Sequence, residues 1–219
     1  MTAATRLDHT GHISRNCTHP DRGGAGRPRQ QQDSPLVIIR DARPEDAQEV
    51  AGVHIRAWQS AYRGLLPDEH LDGLRVEERA AHYSFGSSDP AAPHTILAVE
   101  RGAISGFAAT GPARDEDAPG LAELYALYVD PGHWSEGIGD RLHARALERM
   151  REHGYAAAIL WVLTGNEPAE RFYRRRGWAR DGASRWEEPY GVRSSVIRYR
   201  RSLVVEAQLR SSEDTTRPR

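Results

Sequence analysis

Between residues 36 and 203 the spacing of apolar residues switches repeatedly between two and about 3.6, and the order of the switches leaves few folds open. Leu36-Val37-Ile38-Ile39 is a short apolar run that predicts a first strand. Pro44 stands where a first helical turn begins, with Glu45 and Asp46 placed to favour the helix dipole. Val50, Val53, Ala57 and Ala61 carry that helix to about Tyr62, and Pro67 opens a second helical stretch through Leu71 and Leu74 toward Tyr83. Thr95–Val99 and Ile104–Thr110 read as a hairpin turning at Arg101-Gly102. After a loop at 111–120, Glu123–Val129 is a further strand, ended by Asp130-Pro131-Gly132. Ile138, Leu142, Ala146 and Met150 mark one face of a third helix, which Gly154 closes. A strand at Ala158–Val162, a short helix at Pro168–Arg176 and two strands at Ala179–Glu187 and Val192–Arg200 complete the pattern. The order β-α-α-β-β-β-α-β-α-β-β predicts a single α+β (mixed α/β) domain.

Composition narrows the function classes. The chain of 219 residues is long enough to bury a core without covalent staples, and one cysteine, Cys17, excludes a disulfide framework within it. A net charge of -1 argues against a dedicated nucleic-acid binder. There is neither an apolar run of membrane-spanning length nor an apolar N-terminal leader, so the expected setting is cytoplasmic and free of membrane. Residues 1–35, rich in Gly, Gln and Arg, predict a disordered tail, and 204–219 a flexible one. His9, His12, Cys17 and His19 in that first tail match no zinc spacing, so no metal is expected.

The most informative stretch runs from Tyr128 to Leu142. There a strand ends, Gly137 and Gly139 follow in a short loop, and a helix begins. Free backbone N–H groups at such a helix start, approached closely past glycines, suit a phosphate. No Gly-Lys-Ser/Thr follows, which excludes a P-loop, and the third glycine and distal acid of a dinucleotide fold are missing.

The loop Trp134-Ser135-Glu136-Gly137-Ile138-Gly139 resembles the Gln/Arg-x-x-Gly-x-Gly/Ala segment of the GNAT superfamily of N-acetyltransferases. Downstream, Asn166-Glu167-Pro168-Ala169-Glu170-Arg171-Phe172-Tyr173-Arg174-Arg175-Arg176-Gly177-Trp178 resembles that family's Asn-x-x-Ala-x-x-Phe-Tyr-x-x-x-Gly-Phe/Trp segment. The resemblance covers about 36–203 and implies a bacterial acetyltransferase domain. Its fold would be a mixed, mostly antiparallel sheet of about seven strands flanked by four helices.

The implied reaction moves an acetyl group from acetyl-CoA to a primary amine of a small molecule or peptide, by direct attack in a ternary complex. The backbone of Leu127, Tyr128 and Val129, on a bulged strand, would pair with the pantetheine arm. Ser135, Glu136, Gly137, Ile138, Gly139 and Asp140 would cradle the pyrophosphate, and Asn166 would touch the cofactor arm. Tyr173 is the expected general acid and Glu123 the expected base, with His54 and His133 as rivals. Trp58, Tyr62, Arg63 and Trp186 would wall the acceptor side, where Asp115-Glu116-Asp117 and Glu187-Glu188 are candidate acidic groups. Arg171, Arg174, Arg175 and Arg176 are candidate partners of the CoA 3′-phosphate, or a solvated helix face. Trp134 and Arg176 depart from the family pattern. Alternatives are a protein N-terminal acetyltransferase and a non-catalytic acyl-CoA sensor, and a homodimer is left open.

Overall fold

A computed structural model describes residues 36–89, 91–188 and 192–204. The tails expected at 1–35 and 204–219 therefore lie outside the described residues, apart from Val204. Seven strands form one sheet: β1 (Val37–Asp41), β2 (His94–Glu100), β3 (Ala103–Pro112), β4 (Ala122–Val129), β5 (Ala157–Leu163), β6 (Ala179–Glu187) and β7 (Ser194–Ser202). Their spatial order is β1-β2-β3-β4-β5-β7-β6, antiparallel throughout except for the parallel pair β4–β5. The five α-helices are α1 (Ala47–Ala61), α2 (Asp68–Gly73), α3 (Val76–Ala80), α4 (Ile138–Glu152) and α5 (Glu167–Arg174). The mixed α/β reading holds.

The second helical stretch is the main departure. It breaks into α2 and α3, because Leu74 and Arg75 adopt extended backbone after Gly73, a poor helix former. Five helices therefore replace the expected four. Pro44 begins a 3-10 turn (Pro44–Asp46) rather than α1 itself. Gly154 ends α4 as expected, with φ +81° and its N–H bonded to the Arg151 carbonyl.

Alternation along β3 and β4 places the two long helices on opposite faces of the sheet. Phe107 and Tyr128 meet His54 of α1, with ring centroids 5.8 and 4.6 Å away. Gly106, one residue from Phe107, faces Leu142 of α4. Val129, one residue from Tyr128, lies near Gly139 at the start of α4. Val50, Val53, Ala57 and Trp58 fill the core on one side, and Ile138, Leu142, Ala146 and Met150 fill it on the other.

At Gly106 α4 packs closely on the sheet. A Cβ there would stand 2.8 Å from the Tyr128 carbonyl oxygen and 3.1 Å from Leu142. Gly106→Ala is therefore expected to lose about 1–3 kcal/mol of stability through overpacking. Gly73→Ala, with nothing within 4 Å and an ordinary φ, is expected to be neutral or slightly stabilising. Urea unfolding midpoints of the two variants check the contrast.

Candidate functional site

The parallel ladder between β4 and β5 is short. Ala122 pairs with Ala158 and Glu123 with Ile159, and there it stops. Beyond Glu123 the two strands diverge, so β4 from Leu124 to Val129 has no ladder partner on its β5 side. β4 also carries a bulge. Ala126 opposes Ala109 and Leu124 opposes Thr110, which leaves Tyr125 as the extra residue. The bulge expected on this strand is present.

Two concave spaces open on the two faces of β4. On the α4 and α5 face, a cleft of about 140 Å³ is lined by Leu127 and Val129, by loop residues from His133 to Asp140, and by Pro168, Arg171, Phe172, Arg175 and Arg176. The loop reaches α4 through two left-handed residues, Ser135 (φ 69°) and Gly137 (φ 79°), and Gly137 is the N-cap. Gly139 sits under Phe172, where a Cβ would come within 3.4 Å of the ring. Of the expected cradle, Ser135, Gly137, Ile138, Gly139 and Asp140 line this cleft, whereas Glu136 points to His133, 3.0 Å from its Nδ1. The small backbone, the helix N-terminus and three nearby guanidinium groups make the cleft suited to an anion.

Both departures from the family pattern acquire a physical role. The indole Nε1 of Trp134 donates to the Val129 carbonyl at 2.9 Å and so ties the loop to the end of β4. Arg176 bonds to Asp140 and lies 3.5 Å over the Phe172 ring, linking α5 to the first turn of α4. Arg171 pairs with Glu167 while facing the cleft. Arg174 does not line it.

On the α1 face lies a cavity of about 640 Å³. Its inner wall is aromatic, with Trp58 and Tyr62 from α1 joined by Phe107, Tyr128 and Trp161. Trp58 and Tyr62, four residues apart, meet edge to face at 5.2 Å. The other two expected acceptor residues lie elsewhere: Arg63 pairs with Asp68 and Asp72, and Trp186 is exposed under Arg193. An exposed strand-end side chain reads the same in sequence whichever way the pleat turns it.

The cavity's carboxylates are matched by arginines. Buried Glu123 accepts from the Arg114 guanidinium at both oxygens (2.8 and 3.2 Å) and from its backbone N–H. Asp115 accepts from Trp161 Nε1 at 3.0 Å, from Arg198 at 3.2 Å and from Arg185, which also holds Glu187. Asp117 pairs with Arg198. The Asp115 run thus straps the β3–β4 loop to the last hairpin. Arg114, Arg185 and Arg198 are the residues that sequence reasoning missed, since nothing local distinguishes them among thirty basic residues.

Other expected residues are buried. Tyr173 is wholly buried, its ring edge-on to Phe172 and Trp178 at 5.2 and 6.0 Å, and it lines neither space. Asn166 caps α5, its Oδ1 accepting the Ala169 N–H at 3.2 Å. His54 is buried on the cavity wall, where desolvation and then the Arg79 charge hold its pKa well below the usual value. His133 lies near Glu100 and Glu136 on the other face.

A model of the acetyltransferase (GNAT) family matches residues 55–178, more than half of the chain. This chain belongs to the GNAT family. It is an acyltransferase. Among curated relatives, the uncharacterized N-acetyltransferase YuaI of Bacillus subtilis is 30% identical over 139 residues, which is 64% of this chain and 78% of YuaI. Two solved structures show the same fold. An N-acetyltransferase from Staphylococcus aureus superposes with a TM-score of 0.60 at 17% identity, covering 77% of this chain and 99% of its own. An acetyltransferase, yncA, from Salmonella typhimurium, solved with acetyl-CoA, gives 0.58 at 17% identity over 78% and 95%. Among the described residues no helix is long and apolar enough to cross a membrane.

Burial of a second histidine gives this fold a pH signature. His143 accepts the Trp178 indole proton at 2.9 Å, and burial, reinforced by Arg201 and Arg176, lowers its pKa to about 3. Unfolding restores the ordinary value of 6.5. Between these values the unfolded chain binds more protons, so stability is full above about pH 6.5 and declines as pH falls toward 3. The expected slope from one such histidine is about 1.4 kcal/mol per pH unit. Urea unfolding at pH 7, 6 and 5 should show it, and His143→Gln should flatten it by about that amount.

Proposed function

We propose that the chain transfers an acetyl group from acetyl-CoA to a primary amine of a small molecule or peptide, by direct attack while both substrates are bound. The observation that carries this reading is the gap beside β4. An anion-suited cleft lies on one face of that strand, a roomy aromatic cavity lies on the other, and between them β4 runs on past Glu123 without a β5 partner. The yncA structure, solved with acetyl-CoA, has the same fold.

In this reading Gly137, Ile138, Gly139 and the neighbouring backbone N–H groups hold the pyrophosphate, with Ser135 and Asp140 at its sides. Glu136, directed at His133, contributes its backbone rather than its carboxylate. The open edge of Leu127, Tyr128 and Val129 pairs with the pantetheine arm as an added strand would. The bulge at Tyr125 interrupts the ladder just upstream and frees backbone N–H for the thioester carbonyl. Asn166 acts by fixing the start of α5. Acetyl-CoA supplies the activated acyl group, and the remaining requirements are a proton acceptor for the amine and a donor for the departing thiolate.

Glu123, at the point where the ladder ends, is the proposed base. Arg114 pairs with its carboxylate at 2.8 Å, and an incoming ammonium would replace that guanidinium. Tyr173 is the proposed acid, supported by its place next to Phe172 on the helix that flanks the cleft. Its burial among three rings favours a second reading, in which it only packs. The matched charges of the cavity give no preference for a polycationic acceptor. A protein N-terminal amine remains within the same chemistry.

The test is an amine screen with acetyl-CoA, read as released thiol. Turnover with at least one primary amine is expected, together with a rise in melting temperature at millimolar acetyl-CoA. A ligand at ~100 times its Kd adds ~2.7 kcal/mol. No thermal shift and no turnover would sink the proposal. With an acceptor in hand, Glu123→Gln is expected to lower kcat by ~10²-fold or more while leaving the thermal shift in place. Tyr173→Phe is expected to lower kcat toward the low end of ~10²–10⁴-fold, without loss of cofactor binding, if it is the acid. Wild-type turnover in Tyr173→Phe across pH assigns it to packing.

A further inference from the structure

His54 is a buried polar group of the cavity wall that the transfer reaction leaves unused. Its ring stacks on Tyr128 at 4.6 Å and lies against Trp58 and Phe107 at 5.1 and 5.8 Å. Nδ1 is 2.6 Å from the Tyr83 hydroxyl. Nε2 has no hydrogen-bond partner among the described residues, although the atom is cut off from bulk water. A buried group left unmade costs about 1–3 kcal/mol, so its persistence calls for a physical reason.

The neighbours of Tyr83 fix which nitrogen carries the proton. Arg79 donates to the Tyr83 oxygen through Nε at 3.5 Å, and its guanidinium lies 4.9 Å from the ring centre. An arginine only donates. Among the described residues His54 Nδ1 is the acceptor within reach of the Tyr83 O–H, so the oxygen accepts from Arg79 while the O–H points to His54 Nδ1. Nδ1 accepts, which leaves the imidazole hydrogen on Nε2. The nearby positive charge and the burial both keep the ring neutral. The group in the wall is thus a neutral N–H donor and not a base. A second space of about 70 Å³ between α1 and α3 borders the same ring.

We infer that His54 is a specificity-determining donor of the acceptor cavity, its proton fixed on Nε2 by the Arg79–Tyr83 pair, and that it takes a carbonyl oxygen carried by the amine substrate. A carbonyl only accepts, so it completes this donor without bringing a proton or a charge to a wall made largely of ring faces. The acceptor class is then an amine bearing an amide or similar carbonyl, such as the amino end of a peptide or an amino-acid amide. A plain alkylamine leaves Nε2–H unpaired, and a site built to make a hydrogen bond discriminates against the analogue that lacks it. The inference rests on the amine-transfer reading above and is tested so that the two can fail separately.

Ring 15N–1H spectra of the full chain labelled at histidine need no acceptor, and His54→Phe assigns the His54 signals. At pH 7 the expected form is a neutral ring protonated on Nε2, and Tyr83→Phe should let the Nδ1–H form appear. A ring protonated on Nδ1, or on both nitrogens, overturns the inference even if transfer occurs. Phenylalaninamide and phenethylamine, which differ by a carboxamide, are the two probes. In the presence of CoA the amide is expected to move the Nε2–H resonance and the amine to leave it in place. Equal responses, or none, overturn the oxygen contact.

In turnover the wild type is expected to favour the amide, and His54→Phe to cut that preference roughly tenfold or more. A retained acetyl-CoA thermal shift shows that the variant is folded. An unchanged preference overturns the role. Absence of thiol release with any amine counts against the transfer reading alone, because the spectra decide His54 independently.

Discussion

The early end of the β4–β5 ladder is the constraint on which the rest of the structure depends. Two residue pairs hold the strands together at one end, while β5 pairs with β7 over its whole length along its other edge. A polar backbone edge inside a domain is costly unless something pairs with it. The surrounding parts are arranged around that edge. Trp134 takes up the Val129 carbonyl, and the β3–β4 loop is strapped across to the last hairpin through Asp115 and Arg198. The opening is therefore built into the connectivity and not produced by a mobile segment.

The strap also settles how charge is used around the larger cavity. A run such as Asp115-Glu116-Asp117 suggests a negative surface, yet Asp115 is buried under three donors and Asp117 is held by Arg198. Such pairs contribute little net stability by themselves, but removing one partner leaves a buried charge uncompensated. Their weight lies in fixing the loop relative to β6 and β7. The cavity consequently presents aromatic surface and matched ion pairs, with His54 as a neutral donor in its wall.

Much of the fold was legible in the sequence, because period-two and period-3.6 segments carry their own signals and the turns fall at Gly, Pro and Asp. The stretch after Pro67 was not. Its apolar spacing suits one helix, but extended Leu74 and Arg75 divide it, since α1 offers a packing surface to two short pieces as readily as to one. Motifs placed the glycine loop and α5 on a common cleft. They did not reveal that β4 divides two spaces, which depends on the strand's neighbours. Nor could spacing single out Arg114, or show that His54, named there as a candidate base, meets Tyr83; those roles arise from residues 9 and 29 positions away. Trp134 and Arg176, unaccounted for in sequence, became intelligible only when Val129, Asp140 and Phe172 were seen beside them.

Placing the two spaces on opposite faces of one strand has a consequence for inhibitor geometry. A ligand that fills the cleft and one that fills the cavity do not compete for volume, so they can be held together. A single molecule occupying both must thread the sheet where β4 and β5 part. Hydrogen-bonded strands lie about 4.8 Å apart, and past Glu123, where that pairing ends, the connector runs along the open edge of β4. A tether with carbonyl and amide groups can match the open edge of β4 as a neighbouring strand would, whereas one without them leaves that edge unpaired.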